Sequence, residues 1–358
     1  MTWILTFIGF AALIILHELG HFTAAKAVGM RVERFALFFP PLIARVRRGE
    51  TEYAIGSIPL GGYVRITGMN PHEELAPDVA PRAYFNQPVW KRIVVIAAGP
   101  AVNIVLALVL LTVVYAVWGP VTGVSDRVES VSKGMPASGR ILAGDRIVAV
   151  DGKRGSAEAL RAQVATHTCA GQPTQGCRAT TPALVTVERN GTDRQLSIRP
   201  VYVPSAKRVL LGYAYAEQRR DVGVPEAVTL SAEGMWRFTT GTVEIIAGIF
   251  QADKREQISG VVGSYETTRQ AISLSADRAV FLLAVISLSL GIINLFPFLP
   301  LDGGHVFWAI AEKVRGKRIP FEVMERAGVV GFVLIVLLFV IGLSNDISTL
   351  NGSGFNVH

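Results

Sequence analysis

Leu16-His17-Glu18-Leu19-Gly20-His21 lies inside an apolar run that extends from Trp3 to about Val28. Residues four apart on a helix project from one face, so His17 and His21 can grip a single metal ion with Glu18 beside it. His-Glu-x-x-His on a helix is the arrangement of zinc hydrolases: two imidazole ligands and a carboxylate that acts as general base for a water molecule. The alternative is a pair of packed histidines around a buried Glu. The setting weighs against it, because an ionisable group in mid-membrane costs about 2.5–3.5 kcal/mol on insertion scales. Three such side chains within one and a half turns point to metal binding and catalysis.

The chain has 358 residues, of which 50% are hydrophobic and only 18% charged. This is too apolar for an ordinary soluble protein and fits a membrane bundle with room for one soluble domain. The net charge of +7 falls largely in loops between apolar segments, which sets orientation in a bilayer. No aromatic-rich basic motif is present, and no nucleic-acid partner is expected. The first run lacks a basic n-region and a small-residue cleavage site, so it is expected to stay as a membrane helix.

Four segments, roughly 3–26, 93–118, 279–300 and 328–343, are long and apolar enough to cross a hydrocarbon core about 30 Å thick. Lys and Arg crowd segment 29–92 and the stretch from Lys313 to Arg326, and are missing from the extreme N-terminus and after Gly342. By the positive-inside rule both basic loops are cytoplasmic, and both termini and segment 119–278 are extracytoplasmic. The expected organisation is a first membrane half (1–118), a small β-rich domain (119–205), a linker with an interfacial helix (206–278) and a second membrane half (279–358). Cys169 and Cys177 lie close together in a Gly/Pro/Thr-rich loop of the extracytoplasmic part, where a local disulfide is favoured over two free thiols.

Alternation over 52–60 reads as a strand, Gly61-Gly62 as a turn, and Tyr63-Val64-Arg65-Ile66 as the returning strand. This hairpin would flank the active-site end of the first helix. Its edge could pair with an extended substrate, or it is an ordinary cytoplasmic hairpin. Within 119–203, strands are expected at 128–131, 144–152, 184–189 and 194–203, with a helix at 156–166 and turns at Asp151-Gly152 and Asn190-Gly191. The Gly-Asp-x-Ile…Val-Asp-Gly pattern resembles a PDZ domain, which accepts a peptide as an added strand. Segment 226–250 is mildly amphipathic and reads as an interfacial helix.

Two histidines leave a catalytic zinc short of a third protein ligand. The third span ends Asn294-Leu295-Phe296-Pro297-Phe298-Leu299-Pro300-Leu301-Asp302-Gly303-Gly304, and Asp302 is the acid near its end. The prolines break the helix and the glycines let the backbone turn, so Asp302 can aim inward. The first and third spans run the same way, which places Asp302 at the depth of the His pair. Asp302 reads as a ligand or a helix-end cap; Asn294 as a functional group or an interhelix hydrogen bond.

His17–His21 on the first span, Gly99-Pro100-Ala101-Val102-Asn103 on the second, and Asn294 to Gly303 on the third resemble the three signature motifs of the site-2 proteases, zinc enzymes that cut within the membrane. The order of elements is most similar to the bacterial regulator-of-sigma-E type. Ile58 to Val64, Ile258-Ser259-Gly260 and Ser344-Asn345-Asp346 support the resemblance, which covers nearly the whole chain.

The resemblance implies a polytopic helical membrane protein with a membrane-associated β-hairpin and an inserted PDZ-like domain. It implies one Zn2+ held by His17, His21 and Asp302, with Glu18 as general base. It implies that Asn294 and Asn103 hold the substrate backbone or the oxyanion, and that Gly61, Gly62, Tyr63, Val64, Arg65 and Ile66 pair with the unwound substrate. Partners would be single-span membrane proteins, the bilayer of a bacterial inner membrane, and a peptide C-terminus at the PDZ-like domain. The chain departs from the family in having one such domain, Leu299 where Pro is usual, and Val261 where Pro is usual. Rival readings are a metal transporter, which would string ligands through the bilayer, and a peptide-binding scaffold, which would not need Glu18. His72, His167, His305 and His358 read as loop, packing or terminal residues.

Overall fold

The apolar runs fold as α1 (Thr2–Ala27) and α2 (Val89–Trp118), and later as α6 (Ala276–Asn294) and α8 (Phe321–Asn351). In this computed structural model, which describes residues 2–70, 73–206, 208–248, 251 and 260–351, these four helices are long and apolar enough to cross a membrane. Three further helices are α4 (Val224–Ala247), α5 (Val261–Leu274) and α7 (Asp302–Arg315). The chain divides into two compact units, one made of residues up to Tyr115 with Val224–Leu350, the other of Ala116–Gly223.

In the helical unit the third span stops at Asn294, short of the expected 300, because Pro297 and Pro300 cannot continue it. The loop that follows contains a cis Leu299–Pro300 bond and is tightly enclosed. A Cβ on Gly331 of α8 would lie 1.8 Å from the Leu299 carbonyl oxygen, and one on Gly303 would lie 2.2 Å from the Leu295 oxygen. Only glycine lets these chains approach so closely.

The expected hairpin is corrected. β1 (Val32–Arg48) and β2 (Thr51–Ile66) turn at Gly49-Glu50, and Gly61-Gly62 lie inside β2. Each strand bends midway. Arg45 faces Ala54 in one arm and Ala36 faces Tyr63 in the other, while Arg34 to Leu37 also lie beside Glu52 to Ile55. The result is a four-segment sheet with 42–48 on one edge and 62–66 on the other.

In the second unit, β3 (Val121–Val131), β4 (Arg146–Val150), β5 (Ala183–Arg189), β6 (Thr192–Ile198) and β9 (Tyr213–Arg219) form one sheet in the order β6-β5-β4-β3-β9. β7 (Val201–Val203) and β8 (Arg208–Leu210) make a separate pair. The strands expected at 128–131, 144–152 and 184–189 and the Asp-Gly and Asn-Gly turns are present, but the strand expected over 194–203 breaks at Arg199-Pro200 into β6 and β7, since Pro200 has no amide to give to a ladder. β9 carries the unit past 205, into what read as linker. α3 (Ala157–Ala165) is capped by Ser156, whose side chain accepts from the Ala159 amide, and its Leu160 joins the core cluster that includes Ile147, Val150 and Val185. Cys169 and Cys177 are joined as a disulfide with a Cα separation of 6.2 Å. The readings of His72, Ile249, Phe250, Ile258, Ser259 and His358 lie outside the described residues.

Candidate metal centre

His17 and His21 share a face of α1, as the spacing requires, and both are buried. Their Nε2 atoms are 3.2 Å apart, and each is 3.2 Å from Oδ2 of Asp302, the first residue of α7. A tetrahedral ion with bonds of about 2.0–2.1 Å needs ligand atoms separated by about 3.3 Å. The three atoms thus meet at the separation that one zinc ion demands. Asp302 Oδ2 is buried and has no hydrogen-bond donor among the described residues, so a cation is the partner its environment lacks.

The far side of each ring fixes its tautomer. His21 Nδ1–H donates to the Val95 carbonyl at 2.9 Å, which leaves the Nε2 lone pair facing Asp302. His17 Nδ1 lies 3.0 Å from the side-chain amide nitrogen of Asn103, while Asn103 Oδ1 is buried without a partner. Exchanging the amide oxygen and nitrogen gives the His17 ring an acceptor on its far side. Oδ1 then accepts from His17 Nδ1–H, and His17 Nε2 is freed for a metal.

One helix carries this whole support. Arg92, Val95, Gly99 and Asn103 recur at i, i+3, i+7 and i+11 along a single stripe of α2. A Cβ on Gly99 would sit 2.3 Å from His21 Nε2, so only glycine admits the ring. Gly20 makes the matching approach from α1, where a Cβ would lie 2.6 Å from the Ala98 oxygen. Arg92 is almost fully buried and grips Glu312 of α7 through two bonds, at 2.9 and 3.0 Å. That bidentate pair ties the helix beginning at Asp302 to the helix that orients both histidines.

Glu18 is half-buried beside the ligands, and the Val64 backbone adjoins its carboxylate. A Cβ on Gly62 would come within 2.9 Å of Glu18 Cγ. The 62–66 edge of the sheet therefore abuts the carboxylate. Of the residues read as substrate-pairing, Gly62 and Val64 adjoin Glu18, and Gly61 neighbours Phe39. Tyr63 stacks on Phe39, Arg65 is ion-paired with Glu33 and Glu73, and Ile66 is in the core.

Asn294 ends α6, half-buried and without a side-chain partner among the described residues. Asn103 sits behind His17 and is fully buried. Sequence reasoning missed Arg92, Glu312 and the Val95 carbonyl. Arg92 carried a signal in the stripe on α2; Glu312, on α7, and a backbone acceptor carried none.

Two histidines and an aspartate meeting at one point among membrane-length helices, with a glutamate alongside, define the class: a hydrolytic zinc centre built into a membrane protein. A family model described as Peptidase family M50 matches residues 5–338. "Putative zinc metalloprotease R01501" of Rhizobium meliloti (strain 1021) is 28% identical over 368 residues, covering 95% of this chain and 94% of that one. "Zinc metalloprotease Rip1" of Mycobacterium tuberculosis (strain H37Rv) is 30% identical over 343 residues, covering 84% and 83%. The chain belongs to peptidase family M50, the site-2 protease family. It is an integral membrane metalloprotease whose cofactor is Zn2+.

Proposed function

We propose that this protein hydrolyses peptide bonds inside the transmembrane segments of single-span membrane proteins. The observation that carries the reading is the convergence of His17 Nε2, His21 Nε2 and Asp302 Oδ2 at 3.2 Å, next to Glu18 and a free strand edge. These three residues would hold the ion. Bound there, zinc supplies a Lewis acid that polarises the scissile carbonyl and acidifies a water. Glu18 takes the proton of the attacking water and passes it to the leaving amine. Asn103 holds the His17 ring in its ligating tautomer. Asn294, without a side-chain partner among the described residues, would steady the substrate backbone or the developing oxyanion.

A transmembrane helix hides its backbone in its own hydrogen bonds, so it must unwind before it is cut. Pairing with the 62–66 edge offsets the lost bonds and draws the extended segment along Glu18. An apolar cavity of about 600 Å³ bounded by Ile104, Trp236, Ile292 and Phe296 offers room for side chains of that segment. Residues 116–223 act as a PDZ-like module, with β9 as an edge strand for a peptide C-terminus. The basic loops orient the site toward the cytoplasm of a bacterial cell, with both termini and the PDZ-like module on the other side of the inner membrane.

The test pairs the parent with Glu18→Gln, purified without chelators and incubated with single-span substrates of short ectodomain. The expected result is one zinc per chain in both, with cleavage reduced by roughly 10²–10⁴ in the variant. Equal cleavage by both removes Glu18 as the base. Absence of zinc from both removes the metal centre and favours a peptide-binding scaffold.

A further inference from the structure

The outer edge of the sheet has a polarity that the proposed hydrolysis does not use. Ile43 is 71% exposed, Val46 55% and the Arg45 side chain 70%. Arg47 and Arg48 are exposed too, and neither has a carboxylate partner among the described residues. Arg45 has only a long 3.9 Å contact with Glu52. Exposed aliphatic side chains interleaved with exposed arginines suit neither water nor hydrocarbon alone.

Contacts with α1 give the depth of this strand. At the bend, Phe38 packs against Phe7, with ring centroids 6.0 Å apart. Further along, Tyr53 packs against Phe22, and at the turn Glu50 pairs with Lys26 at 2.8 Å. Helical rise puts Phe7 about 22 Å from Phe22 along the span, so the bend lies well inside the apolar zone. Val46 is opposite Tyr53, and Arg47 and Arg48 lie between it and the turn. Arg47 and Arg48 therefore stand between the levels of Phe22 and Lys26, where the apolar span ends and headgroups begin, and Arg45, opposite Ala54, lies one residue deeper with a side chain long enough to reach the same level.

From this placement we infer that Arg45, Arg47 and Arg48 form a binding surface for the phosphodiester groups of anionic phospholipids, which fixes the depth of the sheet in the membrane. Guanidinium groups bind phosphate through paired donors, and basic residues at a bilayer surface are attracted to acidic lipids. The same charges blunt strand addition at this edge, which leaves 62–66 as the edge open to a substrate. Because 32–37 and 51–56 join the two edges in one sheet, the height of the outer arm sets the height of Gly62 and Val64 beside Glu18. This consequence for cleavage rests on the proposed protease reading; the lipid binding does not.

The experiment uses the full chain in lipid discs of phosphatidylcholine, with or without phosphatidylglycerol. It compares the parent with Arg45→Gln/Arg47→Gln/Arg48→Gln and with the corresponding triple Lys variant. Lipid carried through detergent extraction is identified by mass spectrometry, and cleavage of a disc-embedded substrate is followed in parallel. The parent should retain phosphatidylglycerol over phosphatidylcholine. The Gln variant should lose that preference, by on the order of a hundredfold in affinity for three arginines, and the Lys variant should keep most of it. Cleavage by the parent should rise with phosphatidylglycerol while the Gln variant stays flat. Equal retention by the parent and the Gln variant overturns the proposal. So does a loss of cleavage that is the same in both lipids and confined to substrates with acidic flanks, which would assign the arginines to the substrate instead. If no chain cleaves anything, the protease reading has failed and the retention data still decide the lipid site.

Discussion

In the sheet unit the most deeply buried side chains are apolar: Ile141, Ile147, Leu160, Val185 and Ile198 are all at or below 1% exposure. Around the metal centre of the helical unit the buried groups also include Arg92, Asn103, Ser287 and the two histidines, with glycines between them. The contrast follows from solvent. The sheet unit can gain stability by taking apolar area from water. Helices in lipid gain little that way, because lipid tails are as apolar as leucine, so they are held by close packing at small residues and by polar ties. Ser287 donating to the Asn103 carbonyl at 2.9 Å and Arg92 clasping Glu312 are such ties. One unit should therefore respond to substitution in proportion to lost area, and the other by losing its geometry outright.

The sharpest way to break this contrast is Gly99→Ala. The change adds one methyl group, which in an area-based core would cost little. Here the new carbon would sit 2.3 Å from His21 Nε2, so the ring must leave the position facing Asp302. Zinc content and cleavage should both fall by at least about tenfold, since a single misplaced ligand commonly costs that much in affinity or activity. Hydrogen exchange in β4 and β5 should not change. Normal zinc content in Gly99→Ala would show that the helix contact has slack, and the contrast would fail at its centre.

The same contrast explains what could be read from the sequence. The four spans, the His pair and Asp302 were legible because each rests on local periodicity or on a helix broken by Pro297 and Pro300. The strands of the second unit were legible from alternation and from Asp-Gly and Asn-Gly turns. β1 was not, since Pro40-Pro41 and the Arg-rich stretch after Ala44 interrupt any pattern. Gly61-Gly62 misled for a physical reason. Gly62 is needed so that β2 can lie against Glu18, a close approach and not a turn, while the actual turn uses Gly49 at φ +62°. β9 was lost in the linker because its partner β3 is far away in sequence. Arg92 and Glu312 were invisible as a pair, being 220 residues apart.

Leu160→Ala tests the other side of the comparison. Leu160 is 1% exposed and packs into the core beneath the sheet. Its truncation should cost about 2–5 kcal/mol, through lost transfer energy and the cavity left behind. The loss should appear as faster hydrogen exchange across β4 and β5 in the full chain, with zinc content unchanged. A fall in zinc would mean that the two units are energetically coupled, and would blur the distinction.

A smaller effect, of about 1–3 kcal/mol, is expected at the ion pair of the sheet unit whose carboxylate is buried, Asp145 with Arg189. Asp145 accepts from Arg189 Nε and Nη2, both at 2.7 Å, and from the Leu142 amide at 2.8 Å. The Arg189 bonds, aided by that amide, hold its carboxyl below the usual aspartate range despite burial. A depressed folded-state pKa contributes stability that is complete above the unfolded value of about 3.9 and is lost as pH falls through the folded value. The unit should thus hold a constant contribution from neutral pH to about pH 5 and lose it in stronger acid. Asp145→Asn should be less stable than the parent at neutral pH, and the gap should close as the medium is acidified. Hydrogen exchange at Ile147 and Val187, corrected for the intrinsic pH dependence, reads this difference. A gap that stayed constant with pH would mean that the carboxylate contributes through shape and neutral hydrogen bonds alone. The core of the sheet unit would then owe nothing to charge at Asp145, which sharpens its contrast with the metal-bearing helices.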